Sequence, residues 1–123
     1  MSRPRRTTLA LVLVPFLGWG CAPPIPSGGF NAPDPASRIY AAVAVAQEFE
    51  RTGVRPDHVV LEDLVAMLIS ADPAERLVAS DTLRLVTGRN FGYLPYATMP
   101  ERRVAADRWA DWVRKQPAGT SSP

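Results

Sequence analysis

The sequence predicts an all-α fold of about four helices, and three observations carry that prediction. An Asp-Pro-led octapeptide occurs twice, apolar residues recur at helical spacing between and after the copies, and glycines stand where helices would stop. The copies are Asp34-Pro35-Ala36-Ser37-Arg38-Ile39-Tyr40-Ala41 and Asp72-Pro73-Ala74-Glu75-Arg76-Leu77-Val78-Ala79, offset by 38 residues. Each opens a helix in the same way. An N-cap Asp accepts from a free amide, and a proline at the first helical position has no amide to leave unpaired. In the second copy Glu75 is placed to reach back to the cap as a capping box.

The first helix is expected over about Pro35 to Arg51, with Ala41, Ala44, Val45 and Phe49 inward and Gly53 as its stop. The second is expected over about Asp57 to Ile69, with Leu61, Leu64, Val65, Leu68 and Ile69 on one face. Val59-Val60-Leu61 has β propensity, but the following Leu-Glu-Asp-Leu-Val-Ala-Met-Leu has helical spacing. The third runs from about Pro73 to Thr87, burying Ala79, Thr82, Leu83 and Val86, and Gly88 closes it. The fourth begins near Thr98, where Thr98 and Glu101 form a second capping box. It continues to about Lys115 with Val104, Ala105, Trp109, Trp112 and Val113 inward.

The remainder of the 123 residues is not expected to be domain. Residues 1–20 have the order of an export signal: Arg3, Arg5 and Arg6 without an acid, an apolar run from Leu9 to Leu17, then Gly18-Trp19-Gly20. That run is far short of the roughly twenty residues a spanning helix needs, and Pro15 interrupts it. Residues 21–33, with Pro23, Pro24, Pro26, Pro33, Gly28 and Gly29, suit an extended tether. The helical domain is expected over 34–116 and a polar tail over 117–123. Without the three signal arginines, eleven basic side chains face twelve acidic ones. No clustered basic surface remains, which argues against nucleic acid as a partner.

Cys21 is the sole cysteine and His58 the sole histidine. An internal disulfide is excluded, and no metal-ligating set or nucleophile-base pair is expected. The phosphate-cradling patterns GxxxxGK[ST] and GxGxxG do not occur. Glu62-Asp63 and Asp107/Asp111 suit solvated helix faces, with Asp111 expected to pair with Lys115 or Arg108. No catalytic residue, metal or cofactor is therefore expected.

The position of Cys21 resembles the lipobox of bacterial lipoproteins. Gly20 fits the site before the cysteine, whereas Gly18 stands where a leucine is usual, and ordinary signal cleavage to a soluble exported chain is the alternative. The stretch LVAMLISADPAERLVASDTLRLVTG, residues 64–88, resembles a HEAT repeat. TGRNFGYLPYATMPERRVAADRWADWV, residues 87–113, is similar to the closing segment of small bacterial HEAT-repeat lipoproteins. The pattern departs at Ser37 and Glu75, where an apolar residue is usual before the arginine. The resemblance implies a short solenoid with one complete repeat, about 57 to 88, closed at its end by an aromatic loop and last helix.

On that reading Arg38 and Arg76 form a structural ladder with Asp72 or a helix-end carbonyl in reach, an anion site formed by the pair being the alternative. Phe91, Tyr93, Tyr96, Trp109 and Trp112 cover an otherwise open end, each ring burying roughly 150–250 Å². Alternatively, Tyr93, Tyr96 and Trp112, with Tyr40, are left exposed for a partner. The expected role is a membrane-tethered, non-catalytic adaptor in a bacterial envelope, joined to an unidentified protein. The alternatives are a small-molecule handler of the bilin-lyase kind or a self-associating homo-oligomer.

Overall fold

The computed structural model describes residues 27–118, so the expected signal, Cys21, residues 21–26 of the tether and the last five residues of the tail lie outside it. The described residues form four helices and no strand: α1 (Pro35–Thr52), α2 (His58–Met67), α3 (Pro73–Thr87) and α4 (Met99–Arg114). A single 3₁₀ turn (Gly29–Asn31) precedes them.

Local chemistry accounts for the boundaries. The Asp34 carboxylate accepts from the Ser37 amide at 2.8 Å, and Asp57 accepts from Val60 at 3.0 Å. Asp72 takes the amides of Ala74 at 2.8 Å and Glu75 at 3.0 Å. At α4 the box is present, with Glu101 accepting from the Thr98 amide at 2.9 Å and its hydroxyl at 2.7 Å. Gly53 and Gly88 end α1 and α3 with φ near +70°, which a side chain would strain.

Packing runs α1 on α3, α3 on α2 and α2 on α4. Arg38, near the start of α1, pairs with Glu75 near the start of α3. Further along, the Thr82 hydroxyl reaches the Ala42 carbonyl at 3.4 Å. The two Asp-Pro-led helices therefore lie side by side and run the same way. Leu61, Leu64, Val65, Leu68, Leu83, Val86, Trp109 and Val113 fill the core between them and the other pair.

Several expectations need correction. Glu75 does not complete a capping box: its carboxylate is turned inward onto Arg38 and the Ser70 hydroxyl. In α1 the buried alanine is Ala42, while Ala44 is exposed. The run Ala41-Ala42-Val43-Ala44-Val45-Ala46 is apolar all round, so its periodicity does not choose a face; the contact with α3 does. In α2 the helix ends at Met67, which is buried, and Ile69 is exposed beyond it. Val104 of α4 is exposed and Ala106 takes the inward place. Asp111 pairs with Arg114. The stretch before residue 34 is not all tether: the 3₁₀ turn packs on α1, Ala32 is buried, and Phe30 rests against the core.

Candidate functional site

Arginines at the fourth position of three helices set the frame. Arg38 donates to Glu75 and, at 2.6 Å, to the Ala32 carbonyl. Arg76 donates to the carbonyls of Ser70 and Ala71 at 2.9 Å and of Pro95 at 3.0 Å. Arg102 donates to Ala97 at 2.7 Å. Each guanidinium thus folds back from its helix onto carbonyls of the segment leading into it. Asp72 is not a rung of this ladder, because its carboxylate is used on the α3 amides. Glu75 is the acidic rung instead, 1% exposed, against an Arg38 side chain that keeps 24%. Arg102 was signalled in the sequence, since Thr98-Met99-Pro100-Glu101-Arg102 repeats the spacing of Asp72-Pro73-Ala74-Glu75-Arg76.

The loop after Gly88 brings the aromatic side chains together. Asn90-Phe91-Gly92-Tyr93 is a tight turn, closed by the Tyr93 amide on the Asn90 carbonyl at 3.2 Å. Both central residues have positive φ, 56° at Phe91 and 74° at Gly92. Glycine adopts that conformation freely, whereas at Phe91 it costs about 1–2 kcal/mol. Packing offsets the strain: the Phe91 ring stands edge-on to Trp109 at 4.7 Å, and the Trp109 indole N–H donates to Asn90 at 3.1 Å. Tyr93 is buried, so it is withdrawn from the exposed set. Its hydroxyl donates to Leu68 at the end of α2 at 2.5 Å, and burial pushes its pKa above the ordinary tyrosine value. Trp112 is half-buried beside Trp109, with the guanidinium groups of Arg89 and Arg55 at 5.4 and 5.7 Å from its ring. Those cations also sit near the carbonyl end of α3, where Arg55 donates to Val86 at 3.3 Å.

The remaining aromatic candidates lie apart. Tyr96 is 82% exposed on the loop after Pro95, and Tyr40 is 50% exposed on α1. The four sequence-derived partner residues therefore do not form one patch. What surrounds Tyr40 is more informative. On the side of α1 turned away from α3, Tyr40, Val43, Ala44 and Gln47 border a shallow depression of about 440 Å³ lined without a charged side chain. Ala44 also borders a separate, largely apolar groove of about 360 Å³ lined by Val45, Phe49, Val54, Pro56 and Val60, with Glu48 and Asp57 also on its walls. Sequence reasoning found Tyr40 but missed the groove, whose walls come from two helices and their connection.

Reactive groups are scattered by comparison. His58 lies 3.4 Å from Glu62 one turn on, at the helix surface. Among the described residues no group of three His, Cys, Asp or Glu side chains could hold a metal ion, and no helix is long and apolar enough to cross a membrane. Compared with protein-family models, curated proteins and solved structures, the chain matches none.

Proposed function

We propose that this chain is a non-catalytic adaptor: a short HEAT-like solenoid that is exported, tethered to a bacterial envelope membrane through Cys21, and docked to another protein by the free side of α1. The parallel pairing of α1 with α3, with α2 and α4 packed beyond them, supports the solenoid reading. The rings of Phe91, Trp109 and Trp112 support the reading of the loop and α4 as its cover. The docking role is carried by one observation, the uncharged surface of α1 around Tyr40, with the Phe49-Val54-Val60 groove beside it. Around Tyr40 the surface is uncharged and partly apolar, the composition of an interface core, while the neighbouring groove carries Glu48 and Asp57 on its walls.

A photo-crosslinking residue at position 40, expressed in the native envelope, tests the docking. The expected result is one adduct with a second protein, lost when Val43 is changed to Glu. Equal labelling of many proteins, or an adduct indifferent to Val43→Glu, would remove the docking role. For the tether, mass spectrometry of the membrane fraction should find an acylated N-terminal Cys21. A chain with residues 1–20 still attached, or with a free thiol at Cys21, would replace the tethered protein by an unanchored one.

A further inference from the structure

The outer side of α4 carries a second pattern with its own symmetry. Glu101, Val104 and Arg108 recur at i, i+3 and i+7, on the side of the helix away from Trp109 and Val113. Together with Ala105 and with Leu94 and Ala97 of the loop they line a groove of about 460 Å³. Its floor is apolar, with Leu94 and Val104 about half exposed. Its ends are oppositely charged. Glu101 is fixed in place by Thr98, which uses one carboxylate oxygen and leaves the other without a bond among the described residues. Arg108 pairs with no carboxylate among the described residues, and its contact with the Phe91 carbonyl is long, at 3.4 Å.

Those two charges stand seven residues, about 10 Å, apart along the helix axis. Val104 and Ala105 lie at the midpoint. A two-fold axis through that midpoint brings α4 of a second copy antiparallel across the first. It then sets each Glu101 opposite the Arg108 of the other copy and the two Val104 side chains against each other. An isologous interface requires this self-complementarity, and a surface built for an unrelated partner does not. We propose that the chain forms a two-fold homodimer through α4, with Val104 at the axis and two symmetry-related Glu101–Arg108 pairs. It uses a surface other than the α1 face and stands or falls separately from the adaptor reading.

The test uses the full chain as its own cells produce it, with Val104→Cys as the reporter and the parent chain, whose sole cysteine is Cys21, as the control that should give no such dimer. A residue beside the axis meets its own counterpart, so mild oxidation should give a disulfide-linked dimer. Arg108→Glu in that background puts like charges opposite each other twice and should lower the cross-linked fraction on the order of tenfold. Glu101→Arg should do the same, while Glu101→Gln, which can still cap the helix, should have a smaller effect. Coexpression of the Glu101→Arg and Arg108→Glu chains should restore cross-linking between them, which a folding defect could not produce. Three outcomes would each overturn the dimer: no cross-link through position 104, a cross-link indifferent to charge reversal, or one that joins the chain to a protein of different mass.

Discussion

The aromatic corner and the free side of α1 show two ways for one chain to treat a ring. At the corner, Trp109 and Tyr93 are nearly fully buried, and each polar atom they carry has a carbonyl to bind. On α1, Tyr40 has alanines and a glutamine for neighbours and keeps half its surface in water. A buried ring with a satisfied N–H or O–H contributes to folding stability. An exposed one contributes little, and its area is available for association. Trp109 and Tyr93 are thus structural rings, whereas Tyr40 is an accessible one well apart from them, and that contrast makes the comparison testable.

The largest effect should come from the corner. Trp109→Ala removes a ring that touches Phe91 and Trp112, leaves a cavity beside Val113, and frees Phe91 from the contact that offsets its backbone strain. A loss of about 3–5 kcal/mol is expected, measured by chemical denaturation. A loss below 1 kcal/mol would erase the distinction between the two regions.

Second in size is Glu75→Ala, which removes the acceptor that Arg38 and the Ser70 hydroxyl share and leaves Arg38 its bond to the Ala32 carbonyl. Only Glu75 is fully buried and Arg38 keeps part of its hydration, so the loss should be measurable by denaturation but smaller than that of Trp109→Ala. Hydrogen exchange should show the loss first in α1, which is joined to the rest chiefly through α3. Uniform loss across all four helices would mean that the pair does not act at that seam.

Glu75 also shows what the sequence could and could not convey. Helix starts and stops were legible because they rest on residues within four positions of each other: Asp34, Asp72, Thr98, Gly53 and Gly88 act locally. Glu75 satisfies the local rule for a capping box equally well, but a long-range contact won. An arginine 37 positions earlier offered a charged partner to the buried Glu75 carboxylate, while Asp72 had already served the α3 amides alone. The same limit explains Tyr93 and Tyr96. Three residues apart on one loop, they differ in fate because only Tyr93 meets the free carbonyl at the end of α2. In α1 the alanine run gave no moment strong enough to tell Ala42 from Ala44, so the open side was not visible until α3 was in place.

A third effect separates the tyrosines by pH. Burial raises the Tyr93 pKa, and the neutral phenol is the form that donates to Leu68. For a raised folded-state value the contribution is complete below the unfolded pKa, near 10, and is lost as pH climbs through the folded value. Tyr93→Phe should cost about 1 kcal/mol at neutral pH and flatten the alkaline fall in stability. An alkaline limb unchanged by Tyr93→Phe would place its origin elsewhere in the fold.

The smallest expected effect on folding belongs to α1. Tyr40→Ala removes a half-exposed ring from a helix whose inward contacts, Ala42 above all, are untouched. Stability should stay within about 0.5 kcal/mol of the parent, as for surface changes generally. Alanine is also the better helix former, which partly offsets the lost contact. If the free side of α1 docks another protein, the same substitution should weaken that association by far more, because a tyrosine at an interface centre commonly contributes 1–2 kcal/mol or more. The informative quantity is the ratio of the two losses. At the corner a tryptophan change should lower stability and association together, through unfolding. On α1 association should fall alone. A Tyr40→Ala chain that melts several degrees early would show that this ring supports the fold, and the uncharged side of α1 would lose its claim to be a surface kept for a partner.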